Sequence, residues 1–189
     1  WGIKKPFYAA VYKKNLLKSG KKVKINPYTL GAELEVGYYI KKSFFDSKGS
    51  ITTNNIHKYI SHRLPSIEIA GYRQRKKGLK YIGDLCSDFG ANIKFLIRKK
   101  TKYTKTNSNN LITNLSNKKN KQSVNGNTNT VYINPLNSLK LVLNFIKRDK
   151  IKLISNFYVF TGSTVGVVPI SAKGLYEGKI DKVGSVKVK

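Results

Sequence analysis

Acidic residues are scarce in this chain. Nine aspartates and glutamates stand against 37 lysines and arginines, leaving a net charge of +28 over 189 residues. Such a deficit excludes a surface of paired charges, repels itself, and points to a polyanionic partner. AT-rich coding would inflate Lys, Asn, Ile and Tyr, but it would not deplete Asp and Glu this far. Methionine is absent and the chain opens on Trp1, so it reads as a processed or partial product, with a removed targeting peptide as one route. The single cysteine, Cys86, excludes an internal disulfide and fits a reducing compartment. No run of roughly 18 apolar residues occurs, so no transmembrane helix is expected. Several catalytic signatures are missing as well. There is no Gly-x-Ser-x-Gly elbow, and residues 162–166 lack the Gly-Lys-Ser/Thr ending of a phosphate loop. Cys86 has no evident partner base, and His57 and His62 are off the i, i+4 spacing of a helical zinc pair.

What is present starts with residues 32–40, Ala-Glu-Leu-Glu-Val-Gly-Tyr-Tyr-Ile. Leu34, Val36, Tyr38 and Ile40 fall at every second position, the period of a strand, so Glu33 and Glu35 share its opposite face. A third carboxylate, Glu68, interrupts the otherwise apolar residues 64–71. Three carboxylates converging would make a hard oxygen site for Mg²⁺ or Mn²⁺. The alternative is a solvated strand face whose glutamates pair with nearby lysines.

Along the chain, residues 1–28 form a basic extension in which Lys13, Lys14, Lys21 and Lys22 interleave with Tyr8 and Tyr12. Lysines and aromatics together suit phosphates and bases. Ile56, Tyr59 and Ile60 predict a short helix over 53–63, capped by Thr53 or Asn54 and stopped before Pro65. A strand over 66–71 leads into a basic loop holding Arg73, Arg75, Lys76 and Lys77, and a strand over 93–97 runs into Arg98, Lys99 and Lys100. Both clusters are candidate RNA-phosphate contacts. Residues 101–129 are a low-complexity Asn/Thr/Ser/Lys insertion, expected to dangle or to order on a partner. Residues 111–115 and 131–133 are its more apolar stretches. Leu139, Val142, Leu143 and Ile146 predict a helix over 137–147, followed by strands near 157–160, 165–170, 176–180 and 185–188, with a turn at Thr161-Gly162-Ser163. The main body comprises 29–100 and 130–189.

Four stretches carry a resemblance to a known family: residues 31–37 (Gly-Ala-Glu-Leu-Glu-Val-Gly), 64–73 (Leu-Pro-Ser-Ile-Glu-Ile-Ala-Gly-Tyr-Arg), 84–91 (Asp-Leu-Cys-Ser-Asp-Phe-Gly-Ala), and 160–163 with 183–186 (Phe-Thr-Gly-Ser and Val-Gly-Ser-Val). In order and spacing they resemble the fumarylacetoacetate hydrolase superfamily, in particular its 2-hydroxypentadienoate hydratase and 4-oxalocrotonate decarboxylase branch. The resemblance covers most of the chain and implies a β-rich α+β fold with few short helices, in which 111–115 and 131–133 are a strand pair spread by an insertion. It implies Glu33, Glu35 and Glu68 as metal ligands, and Thr161 and Gly162 beside the substrate pocket. Asp88 is the remaining acid–base candidate, together with a lysine whose pKa is lowered beside the metal. The departures concern catalysis. The family's segment bearing a catalytic lysine falls before the point matching Gly2. An expected acidic position falls near Lys13 or Lys14, Phe89 replaces an asparagine, and Asn134 replaces a histidine.

Two functions follow as expectations. Charge favours a catalytically silent, structural component of a ribonucleoprotein, most naturally a mitochondrial ribosome, contacting rRNA and neighbouring proteins. The resemblance favours a Mg²⁺- or Mn²⁺-dependent hydratase, decarboxylase or C–C hydrolase of a 2-oxo acid, homo-oligomeric as the family usually is.

Overall fold

The computed structural model describes residues 6–73, 81–105 and 109–189. Two sheets face each other. The first has the order β1-β4-β3-β2-β8, with β5 pairing the far end of β3; the second has the order β10-β9-β6-β7. The strands are β1 (Leu16–Lys18), β2 (Thr29–Ile40), β3 (Ile60–Gly71), β4 (Asn92–Ile97), β5 (Thr101–Lys102), β6 (Ile112–Asn117), β7 (Gln122–Asn127), β8 (Phe157–Ser163), β9 (Tyr176–Ile180) and β10 (Gly184–Val188). Two α-helices, α1 (Ile82–Ser87) and α2 (Pro135–Arg148), complete a β-rich α+β body.

The period-two pattern of β2 does what it predicts. Leu34, Val36, Tyr38 and Ile40 are fully buried and belong to one core with Ile67, Leu96, Leu115, Leu143 and Val186. Gly178 of β9 lets the sheets approach, because a Cβ there would lie 2.5 Å from Leu34 Cδ1 and 3.4 Å from Ile67 Cγ1. Gly178→Val should therefore cost about 1–3 kcal/mol by overpacking, read as a lower urea midpoint at unchanged slope. Helix α2 buries Leu139, Leu143 and Ile146, and the Asn134 side chain caps it by accepting from the Asn137 N–H at 2.9 Å.

Several local expectations are corrected. The helix over 53–63 is only a 3₁₀ turn at Ile56–Lys58; from Ile60 onward the chain is already strand β3. Pairing with β2, from Ile40↔Ile60 to Thr29↔Gly71, overrides a three-residue apolar stripe. Pro65 is tolerated mid-strand because the other side of β3 is open there, between Ser66↔Ile97 and Arg63↔Thr101.

In the Asn-rich stretch, residues 112–127 form the β6–β7 hairpin. The partner of the first strand is Gln122–Asn127 rather than 131–133. Low apolar content suffices because β6 lies between β7 and β9, burying Thr113, Leu115 and Asn117, while Asn114 bonds Ser123 and Asn125 outside. Residues 165–170 make only a bridge, Ala32↔Val168. The turn at 161–163 lies within β8.

Candidate metal centre

Antiparallel pairing builds this site. Glu33 on β2 lies directly opposite Glu68 on β3, and Glu35 lies opposite Ser66, so Glu35 and Glu68 are diagonal neighbours on one sheet face. Carboxylate oxygens of all three lie within 4.8 Å of one another. Glu35 is 3% exposed and Glu68 8%, with Glu33 half-buried.

The next strand fixes Glu35. Between Glu35↔Ser163 and Gly37↔Phe160, β8 carries one residue more than β2, a bulge at Thr161 and Gly162. Gly162 takes φ +103° there, and its N–H donates to Glu35 Oε2 at 3.0 Å. The Thr161 hydroxyl donates to the Val36 carbonyl at 2.9 Å. Both residues that the resemblance sets beside the pocket therefore stand at the cluster, with the Thr161 hydroxyl engaged by the backbone.

Burial dominates the electrostatics. It raises the Glu33 carboxyl above its ordinary value. Burial and then the neighbouring Glu33 charge push Glu35 up to about 7, against the lowering effect of the Gly162 N–H. Glu68 is raised well above the usual range by burial and by both neighbouring glutamates, and Arg73 pulls it back in part. With both carboxyls raised, the pair of Glu35 and Glu68 favours keeping a proton when no cation is bound. Among the described residues the ion pairs are Arg148–Asp149, Lys179–Glu177 and Lys187–Glu177, none of them at this cluster. The solvated face paired with lysines is thus not what the fold builds. Three oxygen donors, two of them buried and none ion-paired among the described residues, fit a hard divalent cation.

Sequence reasoning missed an aromatic wall. Phe95 of β4, opposite Glu68, and Phe160 of β8, opposite Gly37, stack across the two strands between them with centroids 4.2 Å apart. Gly37 makes room, since a Cβ there would lie 3.2 Å from the Phe160 ring. Glycine inside a strand was the available signal, as it marks a close approach. Gly37→Val should displace Phe160 and cost about 1–3 kcal/mol. The check is a urea titration of the metal-free protein beside the wild type.

Asp88 is buried outside the cluster, and both its carboxylate oxygens accept from the Arg73 N–H at 3.1 Å. The Arg73 guanidinium donates to the Asp88 carbonyl and to Asn92 Oδ1, so both side chains serve as local struts. Of the basic candidates, Lys13, Lys14, Lys21, Lys22, Arg98 and Lys99 are exposed. Lys100 sits 3.4 Å over the Tyr39 ring. Arg75, Lys76 and Lys77 lie outside the described residues.

Two packed sheets with a cluster of three carboxylates across the central strands define a fumarylacetoacetate hydrolase-like fold. In particular, the chain is similar to 4-oxalocrotonate decarboxylase from Pseudomonas putida G7. In the complex of that enzyme with magnesium and adipate the TM-score is 0.80 at 17% identity, covering 100% of this chain and 71% of that one. In its complex with calcium and acetate the TM-score is 0.73 at 15% identity, covering 93% and 66%. A 5-carboxymethyl-2-hydroxymuconate delta-isomerase from Mycobacterium smegmatis gives 0.65 at 12% identity, covering 92% and 64%. These likenesses establish the fold. No protein-family model matches the chain, and no curated protein matches it by sequence.

Proposed function

We propose that this domain is a divalent-metal-dependent enzyme unit acting on a 2-oxo acid by hydration, decarboxylation or C–C hydrolysis. Glu33, Glu35 and Glu68 hold Mg²⁺ or Mn²⁺. The observation that carries this reading is the carboxylate cluster of Glu33, Glu35 and Glu68, which forms no ion pair among the described residues. It is supported by the fold shared with a decarboxylase solved with magnesium and with calcium. A bound cation supplies Lewis-acid polarisation of the oxygens of a chelating 2-oxo acid. The chain's own residues do the rest: the Gly162 N–H orients Glu35, and Phe95 and Phe160 exclude water on one side. Glu35 and Glu68 hold a proton that metal binding must displace. With Asp88 engaged by Arg73, the acid–base group is sought elsewhere, a lysine beside the metal being the remaining candidate. A panel of 2-oxo acids incubated with Mg²⁺ tests the reading. Turnover abolished by chelation is expected, and turnover indifferent to both chelator and Glu35→Gln would overturn it.

A second reading is favoured by a separate observation. Against 37 basic residues, the described part of the fold contains only the three ion pairs already named. This surplus supports a structural role in a ribonucleoprotein, with a mitochondrial ribosome as host, rRNA as the polyanion and neighbouring proteins around it. Fold and site do not exclude that role. RNA binding that weakens steeply with salt is its expected signature.

A further inference from the structure

The strand pairing gathers cations that are far apart in sequence. Residues 18–23 leave β1 and cross from the edge of one sheet to the edge of the other. The Ser19 N–H donates to the Ile97 carbonyl at 2.9 Å, which continues the Lys18↔Ile97 register and brings Ser19 level with Arg98. One residue on, the Gly20 N–H donates to the Lys187 carbonyl at 2.7 Å, and the Lys187 N–H donates to Ser19 Oγ at 2.9 Å. The Val23 N–H and the Lys21 carbonyl then bond the backbone of Lys189. Arg98 reaches across Gly184, where a Cβ would lie 2.7 Å from its Nη1, and Lys182 lies two residues before. The backbone of one seam therefore carries Lys21, Lys22, Arg98, Lys182 and Lys187, all exposed except the half-exposed Lys187. Glu177 meets it at 3.6 Å from Lys187 Nζ.

We propose that this seam, where β1, β4 and β10 meet, is the surface that binds the phosphodiester backbone of RNA. The proposal rests on the ribonucleoprotein reading and adds a location to it. Charge complementarity selects a polyanion. The composition of the seam selects nucleic acid over a lipid surface, because none of the large exposed apolar residues lies within 16–24, 92–98 or 182–189. Membrane-surface binding combines basic residues with apolar groups that insert, and the seam offers only the former. Recognition through lysine and arginine alone fixes position and carries little sequence information.

The test uses the full chain and a labelled, unstructured single-stranded RNA, with affinity followed by anisotropy across a KCl series. The seam variant is Lys21→Gln, Lys22→Gln, Arg98→Gln. The comparison variant removes the same charge at exposed lysines elsewhere, Lys48→Gln, Lys58→Gln, Lys119→Gln. Each lost phosphate contact on a single strand lowers the slope of log K against log salt by about 0.7, so the seam variant should lose about 2 from the slope. At fixed low salt its affinity should fall about tenfold or more, with the comparison variant close to wild type. Equal losses in the two variants would overturn the location while leaving RNA binding intact. Absence of salt-dependent RNA binding in the wild type would overturn the ribonucleoprotein reading itself. Binding to phosphatidylserine vesicles that the seam variant loses, with RNA binding unchanged, would assign the seam to a membrane and also overturn the proposal.

Discussion

Glu35→Gln is expected to weaken Mn²⁺ or Mg²⁺ binding by more than about 100-fold, since loss of even a partner behind a ligand costs about 10–100-fold. The swap keeps the shape and leaves an amide oxygen to accept from the Gly162 N–H, which now bonds Glu35 Oε2 at 3.0 Å. What it removes is one of three charges facing the cation. The same substitution should stabilise the metal-free protein. At pH 8 the wild type carries an ionised, fully buried carboxylate whose pKa is raised from 4.5 to about 7, a penalty of about 3 kcal/mol. The pair of effects is diagnostic: weaker metal binding with a more stable metal-free fold. Urea titrations with and without Mn²⁺ read both at once. Unchanged affinity in the variant would remove Glu35 from the metal centre.

Metal affinity should also depend steeply on pH. Burial and the neighbouring Glu33 charge hold a proton on Glu35 up to about pH 7, and Glu68 is raised by burial and the same neighbours. A cation must displace that proton, so affinity should rise about tenfold per pH unit up to about 7 for one proton released, and faster if two leave together. From pH 5 to pH 7 the gain is on the order of 100-fold. Stability of the metal-free protein runs the other way. The folded state keeps the Glu35 proton where the unfolded chain has lost it, so the folded state binds more protons between 4.5 and about 7. The Glu35 contribution to stability therefore falls as pH rises through that window, and the raised Glu68 adds a loss of the same sign. Thermal unfolding in chelator across the same pH range checks the sign.

Much of this centre was legible in the amino-acid order, for a local reason. Alternation along β2 places Glu33 and Glu35 on one face whatever the strand pairs with. The place of Glu68 is a matter of register, set by pairing over a dozen residues of β2 and β3, and a short window cannot supply it. The same long-range pairing turns residues 60–63 into strand although Ile56, Tyr59 and Ile60 carry a helical stripe. The bulge at Thr161 and Gly162 looks like a turn in sequence, because a glycine at positive φ serves either. The Asn-rich hairpin was illegible because its stability comes from the flanking β9, and its own composition reads as disorder. The wall of Phe95 and Phe160 joins residues from β4 and β8, which flank the β3–β2 pair, and only the glycine beneath it hinted at the approach.

The most direct test of a carboxylate centre that holds either a proton or a divalent cation is the number of protons released on binding. Calorimetric titration of the metal-free chain with Mn²⁺ near pH 6.5, repeated in buffers of different ionisation enthalpy, measures it. Tight one-to-one binding is expected, with close to one proton released or more, declining to none at high pH. Heat independent of the buffer, or no saturable binding with all three glutamates intact, would contradict it.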